Sequence, residues 1–493
     1  MPPSPEDRRA AGVLLHPTSL PGRYGIGDLG DEAIAFLDWA ASAGMKLWQV
    51  LPLNPPGFGY SPYGCVSSFA GNPLLISPQR LLQEDFLEPE DVAEVPAFSA
   101  DRVEFESAAA YKFALLRKAF SRLDANGELD QFVSEQREWL DDYALYMALK
   151  ERAGGGPWWE WGRALMQWKP AAIARAREDL ADEIRFWQYV QWLFFRQWEL
   201  VRDEAHARGI RIVGDLPIYV ASDSADVWGN RELFQLGEDG QPTVVAGVPP
   251  DYFSATGQRW GNPLYRWELM RENGFAWWVS RVKTNLRFAD IIRLDHFRGF
   301  AAYWEIPASE STAVLGRWMP GPGLALFDAI RKELGELPLL AEDLGFITAD
   351  VHELRRAIGV PGMKILQFGF GQDNSPQLPH RFETQTVAYT GTHDNDTARG
   401  WFEQADEDER ERAITYLGCT EPDIPWGLIR AAYTSVAETA IVPVQDILGL
   451  GSDARMNTPG KEIDNWSWRL HPAALTREHS EKLRQLGVIS GRD

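Results

Sequence analysis

The chain has 493 residues, with 71 Asp and Glu against 49 Lys and Arg, so its formal net charge is −22. A chain this acidic repels phosphate, and no stretch gathers basic residues into a patch, so nucleic acid and anionic membranes are excluded as expected partners. Apolar residues make up 45% and charged residues 24%, which is the balance of a folded globular protein rather than a disordered one.

Short apolar runs alternate with amphipathic helical text. Gly12 to Leu15 reads as a first strand, and Asp31 to Ala43 as a helix in which Ile34, Leu37 and Ala41 recur at helical spacing. A second strand, Leu47 to Leu51, ends in a loop crowded with turn formers and aromatics, Asn54 to Gly64. From about Pro73 to Trp198 the alternation stops. The text there is rich in Ala, Arg, Glu and Leu, and predicts a helical subdomain inserted over residues 73–198. The strand Ile210 to Gly214 restores the pattern, followed by an inserted loop region over residues 216–262 that is expected to lie over the functional end. Then come the strand Ile291 to Leu294, a helix over Leu324 to Leu334, and the strands Leu339 to Ala341, Lys364 to Phe368, Val387 to Tyr389 and Ala440 to Val444. A helix around Leu428 to Ala437 precedes the last. Eight candidate strands, nearly all separated by helices, predict an α/β fold of the (β/α)8 TIM-barrel type, with residues 1–493 forming one catalytic domain around its insertions. No Gly-x-Gly-x-x-Gly follows a strand, which argues against a doubly wound sheet.

Cys65 and Cys419 are the only cysteines, far apart and without metal-ligand or redox spacing, as suits free thiols in a reducing compartment. Near the N-terminus the apolar run Val13 to Leu15 is too short for a signal-peptide core, and nothing approaches the ~20 apolar residues of a membrane helix. The expected location is cytoplasmic.

Catalytic groups of such barrels sit at the C-terminal ends of the strands. Asp215 follows Ile212-Val-Gly214; Arg293 and Asp295 close the Ile291 strand; Glu342 and Asp343 follow Leu339-Leu-Ala341; His393 and Asp394 follow the run through Thr390. Each has a plain structural reading. Asp215 before Leu-Pro could cap the next element, and Arg293 with Asp295 could be a structural ion pair. Glu342 and Asp343 are adjacent, so at most one faces the barrel axis. Asn395 or Asp396 could cap the following helix. Unpaired buried carboxylates are costly, so their coincidence on one rim needs a reason. Paired carboxyls are the minimum machinery of glycosidic chemistry, one protonating the leaving oxygen and the other attacking carbon or activating water. Arg293, two residues before Asp295, would point to the same side and keep that carboxylate ionised. His393 could hydrogen-bond a ring hydroxyl.

The 21 tryptophans fit a site for neutral sugars, whose apolar ring faces lie flat on aromatic rings. Most have a duller explanation. Trp158, Trp159, Trp161, Trp168, Trp187, Trp192 and Trp198 lie in helical text and are expected to pack. Trp260, in a Gly-rich loop on the predicted rim, is expected to meet substrate.

Arg293-Leu-Asp-His-Phe-Arg-Gly299, Ala341-Glu-Asp-Leu-Gly345 and Gly391-Thr-His-Asp-Asn395 resemble, in order and spacing, the signature regions of the α-amylase superfamily. With Gly214-Asp-Leu-Pro-Ile-Tyr219, Ser61-Pro-Tyr-Gly64, Gly247-Val-Pro-Pro-Asp-Tyr-Phe253 and Arg455-Met-Asn-Thr-Pro-Gly460, the chain resembles the amylomaltases, or 4-α-glucanotransferases, from Leu15 to Arg469. The resemblance implies Asp295 as nucleophile, Glu342 as general acid/base and Asp394 as the carboxylate that binds sugar hydroxyls. It implies Arg293, His393 and Asp215 around the reacting sugar, and Tyr63, Asp251, Gln258, Trp260 and Asn457 on flanking ones. The expected partners are α-1,4-glucans, and no metal or organic cofactor is expected. Asp215 is followed by Leu-Pro-Ile-Tyr-Val rather than the Asp-x-x-x-Asn-His of calcium amylases, and no β-sandwich domain is expected after the barrel. Asp464 stands where the resemblance leads one to expect glycine. An α-glucan hydrolase is the alternative, since water and a sugar hydroxyl can use the same carboxylates.

Overall fold

The chain's parallel strands are continuous apolar runs because they are covered on both faces. β1 (Ala10–Leu14) is buried at every residue. In the computed structural model, which describes residues 9–123, 127–250, 254–461 and 463–493, it pairs in parallel with β2 (Leu47–Gln49). β3 (Arg211–Leu216) follows beside β2. Between β3 and the next barrel strand lie β4 (Val244–Val248) and β5 (Gln258–Pro263), which belong to a separate sheet. The barrel resumes with β6 (Ile291–Leu294), is interrupted by β7 (Ala302–Pro307) and β8 (Arg317–Pro320), and goes on through β9 (Leu339–Ala341), β10 (Gly362–Ile365), β11 (Thr386–Tyr389) and β12 (Thr439–Pro443).

The eight-stranded sheet has the order β10-β11-β12-β1-β2-β3-β6-β9, so each barrel strand lies beside its chain neighbour and the last pairs in parallel with the first. The remaining seam, between β9 and β10, is bridged by the Ala341 N–H, which donates to the Pro361 carbonyl at 2.9 Å. This is the (β/α)8 barrel that the alternation predicts, and all eight expected strands are present with ends moved by a few residues.

One expectation is corrected. Residues 216–262 are not only loop: β4 and β5 form an antiparallel sheet with β7 and β8, in the order β5-β4-β7-β8. Gln258 and Trp260 therefore lie on a strand. Its residues, Gln-Arg-Trp-Gly-Asn-Pro, are mostly exposed and carry no apolar alternation for a sequence reading to find. The approach of β5 to β4 is close enough to require glycine at 247, where a Cβ would stand 2.2 Å from the Gln258 carbonyl oxygen. The Trp- and Phe-rich helix expected to end near His206 and lead into the third strand is Ala181–Ala207, whose buried face runs from Phe186 to Ala205.

Tryptophan packing follows the sequence expectation. Trp158, Trp187, Trp192 and Trp198 are buried, while Trp161 and Trp168 meet the buried Trp228 edge-to-face at 5.2 and 4.2 Å between ring centroids. Among the described residues no helix is long and apolar enough to cross a membrane.

At the opposite end of the barrel from the strand C-termini, Arg492 is fully buried and donates to the carbonyls of Tyr433, Ala437, Glu438 and Ala10 at 2.7, 2.6, 2.9 and 3.2 Å. It ties the end of the terminal helix Arg477–Ser490 to β1 and to the segment that leads into β12. Truncating it strands buried carbonyls, each worth roughly 1–3 kcal/mol when left unpaired. Arg492→Ala is therefore expected to lower stability by about 3 kcal/mol, seen as a fall of several degrees in the melting temperature, with kcat of the folded enzyme unchanged.

Candidate active site

The ionisable residues at the strand ends converge. Asp215 lies within β3 and Arg293 within β6, and the two are direct register partners. The cap reading of Asp215 therefore falls. Arg293 Nη1 reaches both Asp215 oxygens, at 2.8 and 2.7 Å, and Asp295 Oδ1 at 3.0 Å. Both Asp215 and Arg293 are buried, a costly arrangement unless each charge is met by its partner and by further hydrogen bonds. Tyr63 supplies one, its hydroxyl donating to Asp215 Oδ2 at 2.8 Å. Burial alone would weaken the charge on Arg293, but the facing Asp215 and Asp295 carboxylates outweigh it and hold the guanidinium firmly protonated.

Glu342 and Asp343 divide as their adjacency requires. Glu342 turns to β6, its Oε2 accepting the His296 N–H at 2.9 Å and its Oε1 the Leu344 N–H at 3.1 Å. Asp343 turns the other way, to the Met363 N–H of β10 at 2.7 Å. Although part of Glu342 is open to the cleft, protein packs closely around its carboxyl. Burial raises its pKa to about 8, with the Asp295 charge adding to the rise and Arg293 opposing it. It is a carboxylic acid that keeps its proton at neutral pH.

His393 and Asp394 sit in the loop after β11, ahead of the helix Ala398–Gln404. Neither Asn395 nor Asp396 caps that helix; Thr397 does, accepting the Gly400 N–H at 3.0 Å. Asn395 is occupied instead with the Thr392 N–H at 2.9 Å. Asp394 is thus left free of capping, and its Oδ1 accepts from Asn457 Nδ2 at 2.6 Å. Its Oδ2 lies 3.4 Å from His393 Nε2. The Tyr63 ring stacks on His393 at 5.1 Å between centroids, and Trp466 packs against both.

Trp260 is half-exposed on β5, with its ring edge-to-face with His296 at 4.7 Å, directly beside Asp295. Its indole N–H donates to Gln258 Oε1 at 3.1 Å, so the two residues face the same side of the strand. Asp251 lies outside the described residues.

Three contributors went unread in the sequence. His296 holds Glu342 through its backbone N–H and adopts φ +49°, which no side-chain pattern announces. Arg455 donates to the Asp394 carbonyl and to the Asn457 carbonyl, each at 2.6 Å, and so orders both residues. Trp466 completes the aromatic wall at φ +64°. Two residues before it, Asp464 takes φ +63°, the left-handed conformation that explains an expectation of glycine there and that aspartate tolerates better than most residues.

Against known proteins, residues 15–476 match the family model described as 4-alpha-glucanotransferase, glycoside hydrolase family 77. A 4-alpha-glucanotransferase of Synechocystis sp. is 50% identical over 497 residues, covering 99% of this chain and 98% of that protein. One of Thermus thermophilus is 49% identical over 500 residues, covering 98% and 99%. The structure of an amylomaltase from Streptococcus agalactiae in complex with acarbose superposes with a TM-score of 0.95 at 39% identity, covering 98% of this chain and 99% of that one. Matched along nearly its whole length in sequence and in fold, the chain belongs to the 4-alpha-glucanotransferase family, glycoside hydrolase family 77.

Proposed function

We propose that Asp295, Glu342 and Asp394 carry out the transfer by double displacement. The reaction of the family is 4-α-glucan transfer and its substrate an α-1,4-glucan. In the first step Glu342 gives its proton to the departing O4 while an Asp295 oxygen attacks C1, forming a covalent β-glucosyl-enzyme. In the second, the resulting Glu342 carboxylate takes the proton of an acceptor 4-hydroxyl as that oxygen displaces Asp295. Two inversions give net retention. Asp394, steadied by Asn457 and Arg455, would bind hydroxyls of the reacting ring, with His393 and Asp215 beside it. Tyr63, Gln258 and Trp260 would hold glucose units in place; Asp251 is assigned the same role from the resemblance alone.

The observation that carries this reading is the contrast between two neighbouring carboxyls: Asp295 bound by a guanidinium, Glu342 raised to about 8 by burial. A general acid must hold its proton at the pH of the reaction, with the nucleophile beside it. Incubation with maltotriose tests it. Longer oligomers together with glucose are expected; shortening without elongation would mean hydrolysis.

Transfer demands that a sugar hydroxyl outcompete water at ~55 M, which positioning at effective molarities of about 10⁵ M or more achieves. Trp260, over His296, is the ring placed to hold the acceptor. Trp260→Ala is expected to lower the ratio of transfer to hydrolysis about tenfold, measured as elongated products against new reducing ends. An unchanged ratio would remove Trp260 from that role.

We further infer a cytoplasmic location. Support comes from Cys65 and Cys419, both unpaired.

A further inference from the structure

One barrel seam is built differently from the others. Adjacent barrel strands elsewhere share ladders of three or more register pairs, whereas β9 and β10 meet through the Ala341 N–H and the Pro361 carbonyl. The next backbone link along that seam is replaced by a side chain. Asp343 Oδ1 accepts the Met363 N–H of β10 at 2.7 Å, and its Oδ2 lies 3.3 Å from Arg355 Nε. Arg355 comes from the helix Ala349–Ile358, donates to the Val360 carbonyl at 3.1 Å and reaches Glu383 at 3.7 Å. The Asp343 and Arg355 side chains are 8% and 7% exposed, so this is a buried pair rather than a surface bridge. Gly362 makes room for it: a Cβ there would stand 2.4 Å from Asp343 Oδ2.

We propose that Asp343, clamped by Arg355, is a positioning residue of the transfer reaction, completing the barrel between β9 and β10 and so fixing the backbone from which Glu342 enters the cleft. This rests on reading Glu342 as the acid/base. Adjacent residues of an extended chain point opposite ways, so the carboxyl that does chemistry and the carboxyl that closes the barrel share one backbone segment. A shift of that segment displaces Glu342 from its own holders, the His296 and Leu344 N–H groups. Misplacement of a catalytic group by about 1 Å costs on the order of 10²-fold in rate.

The charges involved can be enumerated. Arg293, Asp295 and Asp343 act on Glu342, the first favouring its carboxylate and the other two its acid form. Burial raises the Asp343 carboxyl, and the Met363 N–H, Arg355, Lys364 and His352 draw it back toward ionisation. Asp343 thus influences Glu342 both through the backbone and through its charge.

Two variants separate these. Asp343→Ala removes the seam link and is expected to lower kcat roughly 10- to 100-fold with KM for maltotriose within about threefold. Asp343→Asn keeps an oxygen for the Met363 N–H but loses the charge. It should restore kcat to within about threefold of the parent while moving the alkaline limb of kcat/KM to lower pH, because Glu342 then releases its proton more readily. Gly362→Ala, which crowds Asp343 from the other side, should reproduce the loss of kcat. Retained kcat in Asp343→Ala, or a kcat in Asp343→Asn as low as that of Asp343→Ala, overturns the proposal; if Asp343→Ala fails to fold, the kcat of Gly362→Ala takes its place. Activity persisting in Glu342→Gln would instead overturn the acid/base reading beneath it.

Discussion

Asp295→Asn is expected to lower kcat for maltotriose disproportionation by at least about 10⁴-fold, with neither longer oligomers nor glucose accumulating. The amide cannot form the glycosyl ester, and it also removes the charge that faces the developing positive charge at C1. The fold should tolerate the change. Arg293 keeps both contacts to the buried Asp215, so no cation is stranded, and Asp295 itself is partly exposed. A melting temperature within a few degrees of the parent, together with the loss of turnover, isolates the chemical role. Unchanged product formation would overturn the double displacement.

The second large effect belongs to Glu342 and has a pH signature. An acid that must donate in the first step works only while protonated, and burial sets its pKa at about 8. Activity should therefore hold through neutral pH and fall about tenfold per unit as pH rises beyond the alkaline limb of kcat/KM near 8. Glu342→Gln should abolish that limb and lower kcat on maltotriose by roughly 10³-fold. A donor whose leaving group departs without a proton should recover the first step alone, so that this variant releases a burst of fluoride from α-glucosyl fluoride faster than it cleaves maltotriose in a single turnover, while steady turnover stays limited by the second step. Equally slow single-turnover first steps on both donors would deny Glu342 the role of acid.

The barrel was legible because double-sided burial favours short apolar runs: Gly12 to Leu15 reads as a strand, and β1, Ala10–Leu14, is buried at every residue. The strand-end carboxyls were legible for the complementary reason, that a charge at the edge of such text must be met by something. What the sequence concealed works through the backbone or over distance. His296 contributes an N–H, a group every residue except proline has, and its left-handed φ leaves no trace in composition. Arg455 acts on Asp394, 61 positions away, a pairing no local window contains. β5 escaped notice because an exposed strand stacked on a polar cleft has no apolar face to display. β7, which pairs with β4 on that strand's other edge, alternates in burial only from Ala302 to Glu305, and that was the signal available for the second sheet.

The small antiparallel sheet ties the roof of the cleft to its floor. β7 begins directly after the four-residue helix Arg298–Ala301 that follows Asp295, β4 is laddered to β7 over four register pairs from Val244 to Gly247, and β5, carrying Trp260, hangs on β4. The aromatic residue and the candidate nucleophile are thus mounted on one hydrogen-bonded bracket. Because the ladder that sets their separation is made of backbone, the side chains along β5 and the position of the Asp295 carboxyl are separate variables.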